Sequence, residues 1–263
     1  MRKDSSIYKS GMARFSFFVL AVLLFGFSSV FASDDSGKSE RDREPIVYVS
    51  FDVDLNDVGP FKLRGFIFGD EVQLRPGKMG QALFVGGTED WVEMPLDDRI
   101  NLNDGASVEI WFRREDWINP YHGGSGFQTF VVVTSDMMMD VTSSACPVAP
   151  PWALLTSMTH YDEEAGESDV VRAHSEPNSI PPDEWMHGAV TYDPHEATLT
   201  LYLNGEEIDK AYGVPRQEFD IRIIRLGTWF KANQAFRGYV DELKVYDYIR
   251  SADEVFLEAH FVR

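Results

Sequence analysis

From Ile46 onward the chain reads as β throughout, and several stretches alternate apolar and polar side chains with a period of two, the pattern of strands that bury one face. In SVEIWFRR, Val108, Ile110 and Phe112 share one face, while Glu109, Trp111 and Arg113 share the other. In TLTLYLNG, Leu199, Leu201 and Leu203 alternate with Thr198, Thr200 and Tyr202. IVYVSFDV, ALFVGG, DWVEMP, FQTFVVVTS, WALLTSM, DVVRAHS, WMHGAVTYD and IRLGTWF read as further strands, divided by Gly, Pro, Asn and Asp. Asn204-Gly205 in YLNGEEI supplies the positive-φ pair of a tight hairpin. Helical character is confined to SADEVFLEAHFV near the end. Ser251 can cap it, Glu254 completes a capping box, and Val255, Leu257 and Phe261 are its candidate packing residues. Short strands joined by turns, without alternating helices, predict an all-β fold: a two-sheet antiparallel β-sandwich with one short C-terminal helix. The stretch 116–183 is the least regular. Its HGGSG, SDMMMD, ACPVAPP and YDEEAGESD runs read as loops, where binding residues commonly sit.

The region before the first strand has a different character. Arg2, Lys3, Lys9 and Arg14 precede the apolar run FSFFVLAVLLFGF, and Val30-Phe31-Ala32 offers small residues for cleavage. Residues 1–32 therefore read as a signal peptide, since the apolar run is shorter than the ~20 residues of a spanning helix. Met12 would begin a complete signal by itself. Residues 33–45, SDDSGKSERDREP, read as a disordered linker, and 46–263 as one folded domain. The expectation is an exported monomer (secreted, periplasmic or at the cell surface) with no membrane span after cleavage. With 43 Asp and Glu against 24 Lys and Arg, the formal net charge is −19, which argues against a nucleic-acid partner. The one cysteine, Cys146, excludes an intramolecular disulfide and any Cys-cluster metal site. The six histidines show no zinc-binding spacing.

Five stretches, in order, carry a family resemblance: VYVSFDVD, GKMGQALFVGGTEDWVEMP, SVEIWFRRED, DEWMHGAVTYDPHEATLTLYLNGEEI, and IRLG followed by FRGYVDELKVYDYIRSADEV. Together they resemble the laminin-G-like jelly-roll family of the concanavalin A-like superfamily, from about Ile46 to Leu257. The resemblance implies two curved antiparallel sheets packed face to face. It also implies a non-catalytic module that recognises glycans or proteins, commonly with a structural calcium. In that family the Asp of the opening strand and the Asp of the closing strand lie near each other; here they are Asp52 and Asp241.

Each candidate chemistry has a plainer alternative. Asp52, Asp54 and Asp241 are candidate ligands of a structural calcium, because Asp52 and Asp54 share a side of the extended chain and calcium takes 6–8 oxygen ligands. Alternatively, Asp52 starts a turn and Asp241 accepts a backbone N–H. Asp241 and Glu242 are adjacent in an alternating run, so one is expected inward and the other toward solvent, which prevents a facing catalytic pair. The E-x-D-x-x-E pattern of sugar hydrolases on this fold is not completed after Glu167, Glu207 or Glu218. Trp117, Tyr121 and Trp229 are candidate ligand-stacking residues, whereas Trp91, Trp111 and Trp185 are expected in the core. His187 is expected to satisfy a backbone group. The function expected is glycan or protein recognition. A divergent glycoside hydrolase or polysaccharide lyase, and a structural cell-envelope protein, are the alternatives.

Overall fold

In a computed structural model, residues 44–117, 126–134, 137–162, 167–214, 216, 218–219, 222–229 and 234–261 are described. In chain order the strands are β1 (Val47–Val49), β2 (Phe66–Phe68), β3 (Gln73–Pro76), β4 (Gln81–Val85), β5 (Trp91–Pro95), β6 (Ala106–Arg114), β7 (Phe127–Val133) and β8 (Met137–Thr142). They continue with β9 (Leu154–Asp162), β10 (Glu167–His174), β11 (Met186–Asp193), β12 (Thr198–Leu203), β13 (Glu206–Tyr212), β14 (Ile223–Leu226) and β15 (Gly238–Tyr246), and one helix follows, α1 (Ala252–His260). The first sheet runs β13-β12-β11-β6-β15-β4-β3, with β1 also on β15; the second runs β10-β9-β8-β7-β14-β5-β2. Every pairing between these strands is antiparallel.

The alternation seen in the sequence fills the space between the sheets. Val108, Ile110 and Phe112 of β6 and Leu199 and Leu201 of β12 are buried there, with Leu203 at the margin. Phe112 stacks on Phe130 at 4.4 Å, and Phe130 meets Phe236 at 5.7 Å, so β6, β7 and the segment leading into β15 share one aromatic column. Burying such a ring is worth about 1.5–3 kcal/mol. Asn204 (φ 52°) and Gly205 (φ 84°) form the β12–β13 turn, both in the left-handed region that this hairpin requires.

Two regions differ from the sequence expectation. Met137–Asp140 of the SDMMMD run are not a loop: they are most of β8, with Met137 and Met139 in the core. Strands β7 to β10 thus make up much of the stretch read as irregular. In α1 the capping box is present, Ser251 Oγ accepting the Glu254 N–H and the Glu254 carboxylate accepting the Ser251 N–H. Val255 packs on Ala189 and Tyr202 as expected. Leu257 and Phe261 do not pack; they are 54% and 67% exposed. A helix presents i, i+3 and i+4 to one side, so Glu258 and Ala259 accompany Val255. Ala259 sits against Gly205, and Glu258 reaches Lys244 and Arg250. Among the described residues no helix is long and apolar enough to cross a membrane.

Candidate functional site

The closing strand β15 changes neighbours halfway along. Gly238–Val240 pair with β4, Leu243–Val245 pair with β1, and β6 runs along the other side. At the changeover the β15–β6 register slips between Asp241 and Lys244, and Glu242 takes φ 52°. This is a β-bulge, one extra residue inserted into the strand. Val240 and Leu243 both face the core, so the two acidic residues between them lie together on the outer side. The expectation of opposite faces, with Glu242 toward solvent, is thereby overturned: alternation fails where a residue is added. Glu242 is buried and accepts the Tyr48 hydroxyl at 2.7 Å. Burial raises its carboxyl above the usual range, partly offset by that hydrogen bond.

Asp241 is fully buried. Its Oδ2 accepts the backbone N–H groups of Lys78 (2.9 Å) and Met79 (3.0 Å), and its Oδ1 accepts that of Glu242 (3.0 Å). Burial pushes its carboxyl up to about 7, against the pull of these three donors. Asp52, just past β1, holds the other end of the same turn, its Oδ1 accepting the Gln81 N–H at 3.0 Å. The two carboxylates thus grip the β3–β4 turn from both sides. The sequence GKMG permits the approach. A Cβ on Gly77 would stand 2.7 Å from Asp241 Oδ2, and one on Gly80 (φ 46°) would collide with Asp52.

These residues do not fit a calcium ion. Asp54 lies outside the arrangement, its carboxylate accepting the backbone (2.9 Å) and side-chain (2.7 Å) N–H of Asn56. Asp241 accepts three N–H groups, which occupy three of the about four lone-pair sites of its carboxylate and turn their positive ends toward it. Among the described residues no three His, Cys, Asp or Glu side chains are grouped to hold a metal.

The candidate ligand residues lie at one end of the sandwich, around the Gly86–Asp90 loop. Trp117 follows β6, and its partly exposed indole lies against Gly87, where a Cβ would stand 3.2 Å from the ring. Trp229 follows β14 and is also partly exposed; its carbonyl accepts Arg225 Nη1 at 3.3 Å. Gly227 (φ 99°), two residues before it, packs on the Asp90 carbonyl, a hypothetical Cβ there lying 3.0 Å away. Trp117 and the Trp229 turn therefore meet the two ends of one loop. Arg237 ties the loop down, donating from Nε to Glu115 at 2.7 Å, from Nη1 to Glu71 at 3.1 Å and also to the Gly86 carbonyl. Gly86 must be Gly, because a Cβ would collide with Glu71. Tyr121, the third candidate, lies outside the described residues.

The tryptophans expected in the core are not between the sheets. Trp111 is buried on the outer side of β6, its ring 5.3 Å from that of His187 and 4.2 Å from Lys78 Nζ. His187 is buried with it and points Nε2 at Glu109 Oε2 (3.3 Å), a carboxylate rather than a backbone group. Trp185 packs beside Tyr239 and Arg113. Trp91 is half-buried on the outer side of β5 and stacks on Phe68 at 5.1 Å; its Nε1 donates to Glu93 at 3.0 Å, and Glu93 pairs with Arg225. The alternation in DWVEMP carried this signal, since Trp91 shares its face with Glu93. On the second sheet, Asp140 of β8 is buried on the outer side, accepts the Thr129 hydroxyl, and is pushed by burial up to about 7.

Comparison with solved structures finds the same architecture at low identity. The binding domain of Botulinum Neurotoxin DC in complex with SialylT aligns at TM-score 0.61 and 13% identity, over 83% of this chain and 51% of that one. The same toxin's binding domain in complex with rat synaptotagmin II gives 0.61 and 13%, over 83% and 51%. The binding domain of Paraclostridial Mosquitocidal Protein 1 gives 0.65 and 14%, over 82% and 52%. This chain thus spans about half the length of those domains, and the likeness is one of fold. A comparison with curated protein sequences finds no match. A family model does match, across residues 86–256, covering β5 to β15, most of α1, and both rim tryptophans. The chain belongs to the concanavalin A-like lectin/glucanases superfamily.

Proposed function

We propose that this chain is an exported, non-catalytic recognition module that binds a glycan at the rim formed by Trp117, Trp229 and the Gly86–Asp90 loop. The observation that carries the reading is the pairing of two partly exposed indoles with a polar cluster around one loop. Indole faces stack on the C–H faces of sugar rings, and Glu71, Glu115 and Arg237 offer hydrogen bonds to hydroxyls. Catalysis is disfavoured because the adjacent carboxyls, Asp241 and Glu242, are buried and engaged by N–H groups and Tyr48. That solved neighbours are binding domains, with SialylT in one case and a protein in another, supports recognition as the activity. Export rests on the composition of residues 1–32, which lie outside the described residues.

The test is a glycan panel probed with the purified protein, followed by titration calorimetry on any hit. Trp117→Ala and Trp229→Ala should each weaken binding by on the order of tenfold, without lowering Tm. Absence of any glycan bound, or binding indifferent to both substitutions, would sink the proposal. A protein captured through the same two residues would transfer the rim to protein recognition.

A further inference from the structure

The second sheet ends in an edge strand that lacks the usual guards. Edge strands are commonly blocked by charge, proline or a bulge, because their open N–H and C=O groups template further pairing. The other described edges are guarded or covered: over the open side of β1 lies the Asp57–Gly59 turn, the Val58 N–H donating to the Tyr48 carbonyl at 2.7 Å and the Asp57 carboxylate accepting the Tyr48 N–H at 2.8 Å. Strand β13 reads EEIDKAY and slips register against β12, β3 carries Arg75 and ends in Pro76, and β10 carries Glu167, Asp169 and Arg172. Strand β2 reads FIF, and Phe66, Ile67 and Phe68 are 48%, 53% and 40% exposed. Among the described strands it pairs with β5 alone. Successive residues of an antiparallel strand turn their main-chain groups to alternate sides, so β2 directs some away from β5.

The sequence around it is symmetric. RGFIFGD, Arg64–Asp70, reads the same in both directions about Ile67, except that its two ends carry opposite charges. Arg64 and Asp70 are both exposed. In an antiparallel pairing with a two-fold axis at Ile67, Phe66 lies opposite Phe68 of the second copy, and Gly65 lies opposite Gly69. Arg64 then lies opposite Asp70, twice over. Two copies of a chain with net charge −19 repel at long range, and these two ion pairs supply a local match. We propose that the protein forms a two-fold homodimer through β2, joining two seven-stranded sheets into one continuous sheet and replacing the monomer that the sequence suggests. The interface is isologous, as a two-fold requires, and the Phe68–Trp91 stack continues onto Phe66 of the second copy.

Sedimentation of the purified protein over a concentration series tests this. The expected result is a reversible species of twice the chain mass. Ile67→Lys, which sets two ammonium groups at the axis, should abolish it. Arg64→Asp or Asp70→Arg alone places like charges together and should weaken the dimer on the order of tenfold. Mixing those two singly substituted proteins should restore it, because each altered end then meets its opposite. Unchanged melting of the three exposed-site variants separates loss of pairing from loss of fold. A wild-type monomer at every concentration overturns the proposal, whether or not another protein's strand is found on β2. So does a dimer indifferent to Ile67→Lys, or a mixture of the charge variants that fails to associate.

Discussion

Asp140 shows how far one side chain can set the response of the protein to pH. Its carboxyl is held up to about 7 by burial, against an ordinary value near 3.8. Between those values the folded chain keeps a proton that the unfolded chain has lost. The stabilisation is therefore fully present below pH 3.8 and is lost as pH rises through about 7. Asp140→Asn keeps an acceptor for the Thr129 hydroxyl and cannot ionise. The variant should melt at a progressively higher temperature than the wild type as pH rises from 5 to 8; parallel melting curves would count against the assignment. Asp241 titrates in both proteins, so it cancels from the difference. No residue-level pattern in the sequence announces such a group: SDMMMD looks like a polar-flanked loop because methionine carries no strand signature. Period-two alternation did place Val108, Ile110 and Phe112 correctly, since β6 itself carries no inserted residue and its pairing with β11 is regular there. It failed at Glu242, where the left-handed backbone inserts a residue that counting cannot see.

At the scale of elements, the helix and the first sheet are joined by charge as much as by apolar packing. Arg250 Nη1 lies 2.7 Å from Glu109 Oε1 and donates to the Tyr246 hydroxyl at 2.6 Å, while Nη2 donates to the Glu254 carbonyl at 3.0 Å. Lys244 pairs with Glu258 on the same side. Glu109 is only 1% exposed, so removing its cation leaves a buried charge facing His187. Arg250→Ala should cost about 3–5 kcal/mol in urea unfolding, and the Glu109→Gln/Arg250→Met double variant should recover much of it. A loss below ~1 kcal/mol would show the pair to be solvent-screened. Loss of the exposed cap in Ser251→Ala should cost only about 1 kcal/mol by comparison. The cap was legible because it is local, two residues three apart. The ion network was not, because it joins β6, β15 and α1, which are distant in sequence. The same limit explains β2, a three-residue strand with no polar alternation to mark it, and the rim, where Trp117 and Trp229 were recognisable as aromatics but the loop between them was not.

At the scale of the whole molecule, the first and last strands close the sandwich, and the question is what secures that closure. Val47–Val49 pair with Leu243–Val245, so the two ends of the domain meet in one ladder. The β3–β4 turn fills the place where β15 passes from β4 to β1, gripped by Asp52 and Asp241. If hydrogen bonds alone secure this junction, the melting temperature of EDTA-treated protein is the same with and without added calcium. An ion bound only by the folded state would raise it, in proportion to the logarithm of its concentration above Kd. Asp241→Ala strips the acceptor from three N–H groups and should cost about 1–3 kcal/mol, or about 2–4 °C per kcal/mol in a domain of this size. That loss should be equal in EDTA and in calcium. A calcium-dependent rise in the wild type that disappears in Asp241→Ala would instead establish a metal as the fastener.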